Sequence, residues 1–176
     1  DAAAAAVAAS LRERATGQEL VSAMVADAPD VAEVMRALAR QAQPGLVAVD
    51  MSTIAPAAAR AIHAELAESG IDFVDAPVSG GEPGAIAGTL SIMAGGSETA
   101  FARALPAFQC MGGNIVHVGG PGAGQVAKAA NQVVTGMGVV AVAEAVNFAQ
   151  KNGVDAAKVR EALLGGFAAS KILENH

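Results

Sequence analysis

The chain has 176 residues, a formal net charge of −6 and 53% hydrophobic residues. That hydrophobic share supplies a sizeable core and excludes a disordered chain. The acidic balance, with no long basic run, excludes a nucleic-acid partner. The one cysteine, Cys110, excludes an internal disulfide and fits a reducing, cytoplasmic setting.

Asp1 to Ser10 is alanine-rich and helical in character, without the basic region and long apolar stretch of a signal peptide. Leu20 to Val25 is a short apolar run. Val31 to Gln41 carries apolar residues at helical spacing, with Asp30 as its expected cap. Pro44-Gly45 is a turn, and Leu46 to Val49 reads as a buried strand ending at Asp50. Pro56 to Ser69 predicts a helix that starts at a proline and stops at Gly70.

Ile71 to Val74 is the next strand, and "DAPVSGG", Asp75 to Gly81, follows it. Glu82-Pro83-Gly84-Ala85 then opens a turn or a helix. Thr89 to Met93 is a strand, Glu98 to Phe108 a helix, and Ile115 to Val118 a last strand. Repeated strand–helix–strand units with continuous apolar strands predict an α/β layer fold, helices on both faces. Ligands in such sheets bind beyond the carboxyl ends of the strands. The strand exits are Ala26–Pro29, Met51–Thr53, Pro77–Gly81 and Gly119–Gly122, expected to gather along one edge.

From Gln125 to Asn152 the pattern becomes one long helix, rich in Ala, Val and Gly, whose small residues admit a neighbouring helix. A further helix from Asp155 to Leu164 follows, ended by Gly165-Gly166. The expected organisation is therefore a partial, doubly wound α/β domain over 1–121 and the start of an all-helical domain over 122–176. The uncharged stretch of this helix, Ala129 to Ala143, is short of the roughly 20 residues a membrane span needs. The abrupt ends predict a piece of something longer.

Three segments carry chemistry. Ser79-Gly80-Gly81 offers backbone N–H groups and a hydroxyl, either as a plain turn or as a cradle for a carboxylate or phosphate. Gly122-Ala123-Gly124-Gln125-Val126-Ala127 matches a G-x-G-x-x-A pattern, but no strand ending in an acid follows about 20 residues on, so a domain-joining turn is expected. Lys128 lies one turn into the long helix in apolar surroundings, with Asn131 three residues on and Thr135 extending the stripe. It reads either as a lysine reaching to water or as a general acid/base whose pKa is lowered by burial beside a helix N-terminus. Ser52-Thr53 reads as a helix cap before Pro56. Cys110 is expected in the core. His63, His117 and His176 are far apart, and no Cys/His spacing suits zinc.

Asp75–Gly81 and Gly124–Gln132, together with Asp50–Pro56 and Gly88–Met93, resemble the β-hydroxyacid dehydrogenases from about Leu20 to the end of the chain. That family includes 3-hydroxyisobutyrate dehydrogenases and tartronate semialdehyde (2-hydroxy-3-oxopropionate) reductases. The resemblance implies a partial Rossmann-type domain and hydride exchange between NAD or NADP and a small β-hydroxy acid or semialdehyde. It places the catalytic lysine at Lys128 and its assisting asparagine at Asn131. Substrate-carboxylate binding falls on Ser79, Gly80 and Gly81, and cofactor contacts on Val25, Ala26, Asp30 and Thr53.

Gly81-Glu82-Pro83 and Gly119–Asn131 look most like the tartronate semialdehyde reductases. The alternatives are a 3-hydroxyisobutyrate dehydrogenase and a non-catalytic module for oligomerisation or interaction. Implied partners are a small carboxylate substrate and further copies of the chain, with no metal, nucleic acid or membrane. The family's opening strand and Gly-x-Gly-x-x-Gly loop have no counterpart before Leu20, and a further helical region is expected beyond His176. The chain by itself is therefore expected to hold a dinucleotide weakly.

Overall fold

The computed structural model describes residues 18–41 and 43–175. The readings on Asp1–Ser10 and His176 lie outside the described residues. The chain divides into two compact units, Asp1–Lys128 and Ala129–His176.

The described part of the first unit is a six-stranded sheet with helices on both faces. Strands β1 (Leu20–Ala23), β2 (Val47–Asp50) and β3 (Asp72–Asp75) run parallel. Helices α1 (Ala28–Ala39) and α2 (Pro56–Ala67) connect them. The direction then reverses. A two-residue strand β4 (Val78–Ser79) and a short helix α3 (Gly81–Ala87) lead into β5 (Leu90–Gly95), antiparallel to β3 and β4. Helix α4 (Glu98–Gln109) returns the chain to β6 (Gly112–Gly119), parallel to β5. The sheet is therefore mixed, and the carboxyl ends of β3, β5 and β6 meet at Asp75, Gly95 and Gly119.

Strand pleating explains the two cores, because successive residues face opposite sides. Ala48 and Phe73 pack with Val31, Met35 and Leu38 of α1 and Ala59, Ile62 and Leu66 of α2. Val47, Val49 and Val74 pack on the other face with Ile92 and with Ala100, Ala104 and Phe108 of α4.

Several local expectations are corrected. Asp27, not Asp30, caps α1: its carboxylate accepts from Asp30 N, and Pro29 sits in the first turn. Neither Ser52 nor Thr53 caps α2; Ala55 holds that position without a side-chain bond. Proline at the first helical residue has no N–H to cap. Cys110 is exposed rather than in the core. It is the residue that ends α4, and its Sγ donates to Pro106 O. His117 lies within β6, stacked on Phe101 at 4.8 Å and bonded through Nε2 to Gly96 O.

Helix α5 (Ala123–Lys151) begins in the first unit and continues through the second. The second unit adds α6 (Ala156–Leu164), capped by Asp155, and α7 (Lys171–Asn175). Gly138 is the small residue that lets another element approach, since a β-carbon there would lie 2.5 Å from Ile172 Cδ1. Val133, Val134, Met137 and Val140 stay exposed. Among the described residues α5 alone is long and apolar enough to cross a membrane, by length and composition. The uncharged stretch Ala129–Ala143 understated it, because the helix extends beyond that stretch at both ends. A core helix of a soluble protein also meets that test.

Candidate active site

The site is built where three strands end. Asp75, the last residue of β3, is fully buried. Its Oδ1 accepts from Gly122 N at 2.8 Å and its Oδ2 from Gln125 N at 2.9 Å. The carboxylate thus occupies the N-terminus of α5, where orphan N–H groups and the helix dipole favour negative charge. That pins the glycine turn onto the sheet. A β-carbon at Gly124 would meet Met93 O at 2.3 Å and Asp75 O at 2.4 Å, so only glycine fits there.

The docked helix start brings Lys128 to the edge of the sheet. Its Nζ donates to Val78 O at 2.7 Å, immediately before the Ser79-Gly80-Gly81 turn. Burial lowers the Lys128 pKa below its ordinary value. The turn itself needs its glycines: φ is +145° at Gly80 and +60° at Gly81. No side chain caps α3 behind it. Lys128, Ser79, Gly80 and Gly81 line one open cavity of about 480 Å³, with Thr53, Met24, Glu82, Ala85 and Leu90. That volume suits a small-molecule site.

The other predicted residues do not all converge. Val25 and Asp30 line a separate cleft of about 280 Å³ on α1, and Ala26 is exposed beside it. Gly120 and Pro121 line a third, with Arg60 and Val126. The strand exits do meet, since Asp75 holds Gly122 N and Gln125 N, Gln125 holds Ser52 O and Ser52 holds Val25 N, although they open into separate clefts. Asn131 belongs to the second unit, where its Nδ2 donates to Gln132 Oε1.

Sequence reasoning missed Met24 and Glu82 on the cavity wall and the buried Gln125 beneath it. Gln125 lies three residues before Lys128 within an apolar run, a spacing that marked a buried polar side chain on the same helix face.

Asp50, at the end of β2, sits directly across from Asp75. Its Oδ1 accepts from Ser52 N at 3.0 Å, and its buried Oδ2 has no partner among the described residues. Burial raises both carboxyls above the ordinary carboxylate range. For Asp50 it outweighs the bonds from Ser52, and for Asp75 those from Gln125 and Gly122, with the Asp50 charge adding to the rise. A carboxyl with a raised folded-state pKa holds its proton more tightly folded than unfolded. Its contribution to stability is therefore full below the unfolded value and is lost as pH rises through the folded one. Asp50→Asn keeps an acceptor for Ser52 N and is expected to flatten that decline, read by urea unfolding across a pH series.

For a dinucleotide, the residues present fit one end. Thr53 and the exposed Met24 share the cavity with Lys128. A pyrophosphate has no cradle among the described helix N-termini of the first unit. Asp27, Ser97 and Asp75 cap α1, α4 and α5, α2 starts at a proline, and the short α3 starts at the proposed substrate turn.

A mixed α/β sheet, with its site at the strand ends and a long helix leading into a helical unit, defines a Rossmann-type module joined to a helical domain. Residues 1–119 match the family described as the NAD binding domain of 6-phosphogluconate dehydrogenase. Residues 122–176 match the NAD-binding region of NADP-dependent 3-hydroxyisobutyrate dehydrogenase. The chain belongs to the NAD(P)-dependent β-hydroxyacid dehydrogenase family, whose cofactor class is NAD or NADP.

The chain is 45% identical to 2-hydroxy-3-oxopropionate reductase of Escherichia coli over 168 residues, 94% of this chain and 58% of that protein. The solved structure of Mycobacterium tuberculosis 3-hydroxyisobutyrate dehydrogenase with L-serine aligns with a TM-score of 0.85 at 35% identity, over 92% of this chain and 55% of that one. The 3-hydroxyisobutyrate dehydrogenase of Salmonella typhimurium aligns with a TM-score of 0.82 at 32% identity, over 95% and 59%. The chain thus spans little more than half the length of these relatives.

Proposed function

We propose that the full-length protein exchanges hydride between NAD(P) and the carbon β to the carboxylate of a small acid, with 2-hydroxy-3-oxopropionate as the substrate reduced. The observation that carries this reading is Lys128 Nζ bonded at 2.7 Å to the residue before the Ser79–Gly81 turn, inside one cavity. Ser79, Gly80 and Gly81 hold the substrate carboxylate through backbone N–H groups and the hydroxyl. Bound NAD(P)H supplies the hydride that the carbonyl carbon receives, and in oxidation the hydride returns to NAD(P)+. Lys128 gives its proton to the carbonyl oxygen as that oxygen becomes a hydroxyl, and takes it back in oxidation. The lowered pKa makes the ammonium readier to release that proton.

Thr53, which shares the cavity, is proposed at the nicotinamide. Val25, Ala26 and Asp30 are proposed along the rest of the cofactor. The family likeness, rather than a contact, carries the assisting role of Asn131.

Glu82 supports the choice of substrate. A carboxylate on the cavity wall accepts a hydrogen bond from the C2 hydroxyl of 2-hydroxy-3-oxopropionate, and the methyl that 3-hydroxyisobutyrate carries at that carbon offers it none. The similarity to the Escherichia coli reductase points the same way. Exposed Val133, Val134, Met137 and Val140 in the second unit support a homo-oligomer in which they are covered.

Ser79→Ala removes one hydroxyl from the carboxylate cradle. It is expected to raise KM about tenfold at near-constant kcat, the pattern of lost ground-state binding. Steady-state kinetics with 2-hydroxy-3-oxopropionate checks it. An unchanged KM removes Ser79 from the cradle.

A further inference from the structure

We propose that Gln125 is a positioning residue that fixes the Thr53 loop relative to Lys128, resting on the reaction proposed above. Gln125 is 1% exposed. Its Nε2 donates to Ser52 O at 2.8 Å, and its Oε1 accepts from Ile54 N at 3.1 Å. One amide thus grips the main chain on both sides of Thr53. The same residue's own N–H is held by Asp75 at 2.9 Å, and Lys128 follows three residues later on α5.

The loop is tied from below as well. Ser52 Oγ accepts from Val25 N at 2.8 Å, and Asp50 Oδ1 accepts from Ser52 N. The ends of β1, β2 and β3 and the start of α5 therefore form one bonded frame. Within it Gln125 is the side chain that joins the loop of Thr53 to the helix of Lys128. Thr53 itself is exposed to the cavity and is left free to meet a ligand. A buried amide that satisfies one donor and one acceptor at fixed spacing sets distance and register together, which an apolar side chain of the same size does not.

Two substitutions separate positioning from packing. Gln125→Met keeps the shape and removes both bonds. In the cofactor-free protein, amide hydrogen exchange at Ile54 is expected to rise at least about tenfold, with α1 unchanged. In the full-length protein kcat is expected to fall about 100-fold, with KM for the acid within about threefold, because a small misplacement acts on the chemical step.

Gln125→Glu supplies a switch. A protonated carboxyl accepts from Ile54 N and donates to Ser52 O, as the amide does, whereas a carboxylate sets its charge against Ser52 O. The ionisable groups around this position are Asp75, which holds its backbone N–H, Asp50 across from Asp75, Lys128 three residues on along α5, and Arg60 of α2 beside the Gly122 turn. The two carboxyls disfavour a further negative charge and the two cations favour one, but in either case ionisation sets a carboxylate against Ser52 O and ends that bond. The Glu variant is therefore expected to approach wild-type kcat at low pH and to lose it as pH rises, with Ile54 exchange rising in parallel. Relative to wild type, whose own rate follows Lys128, Gln125→Met shows neither added pH dependence.

If Gln125→Met does not fold, the Glu variant's pH profile decides within one polypeptide. Retained kcat in a folded Gln125→Met, or a Gln125→Glu whose kcat relative to wild type does not change with pH, overturns the proposal. A wild-type protein without turnover overturns the reading of the reaction, and not the clamp, which the exchange rates read alone.

Discussion

Lys128→Ala is expected to lower kcat by roughly 10²- to 10⁴-fold, the range set by losing a positioned general acid. In the proposed reaction the substrate carboxylate keeps its cradle at Ser79–Gly81, so KM is expected to change little. Lys128→Arg is expected not to restore activity. A guanidinium stays protonated throughout the working range and has no proton to exchange, although it keeps the charge. Stability is expected to hold in both variants, because Lys128 is only part-buried and makes one bond, to Val78 O. Initial rates in both directions, followed by nicotinamide absorbance, check the pair. The directions also differ with pH. Reduction needs the ammonium and declines as pH rises through the lowered pKa of Lys128, while oxidation needs the free amine and rises there.

Gly124→Ala is expected to give the largest loss of stability from a single methyl. Its β-carbon would lie 2.3 Å from Met93 O and 2.4 Å from Asp75 O, both main-chain atoms at strand ends that no rotamer change relieves. Overpacking of this kind costs about 1–3 kcal/mol. Relief requires α5 to lift from the sheet. That loosens the bonds of Asp75 to Gly122 N and Gln125 N and carries Lys128 away from Val78 O. Activity is thus expected to fall even at temperatures where the variant stays folded. Gly136→Ala, on the same helix with nothing within 4 Å of its β-carbon, is the control. It is expected to be neutral or to stabilise by about 0.5–1 kcal/mol, the usual gain from glycine to alanine in a helix. Urea unfolding of the two variants checks the contrast.

The elements read best from the sequence were those whose burial is continuous. The apolar runs around Val47–Val49 and Phe73–Val74 became central parallel strands, and the periodic positions Val31, Met35 and Leu38 became the buried face of α1. What failed was short-range punctuation. Asp30 and Asp27 both suit a cap, and only backbone geometry chose between them: Asp27 is extended and Asp30 already helical. The β4–α3 step was read only as a turn or helix, because two strand residues and seven helical ones are too few to show a period. The reversal of β5 was illegible for the same reason, since strand direction is not written in hydrophobic alternation.

The site was legible in its parts and not in its assembly. Ser79, Gly80, Gly81, Thr53 and Lys128 were each named, and the structure puts them around one cavity. Their spacing in the chain does not reveal what joins them. Asp75 reaches 47 residues to Gly122 and 50 to Gln125, and Gln125 reaches 73 to Ser52. Buried polar bonds of that span are properties of the fold. The dinucleotide-like glycines at Gly122 and Gly124 show the limit. Their pattern suits a phosphate, yet a protein carboxylate already fills the helix start they open.

The most direct measurement mixes the full-length protein with NADH or NADPH and 2-hydroxy-3-oxopropionate and follows the loss of reduced nicotinamide. Saturable oxidation is expected, together with its loss when the substrate carboxylate is replaced by an amide that the Ser79–Gly81 turn holds poorly. Equal rates with acid and amide, or no turnover with either cofactor, would contradict the site described here.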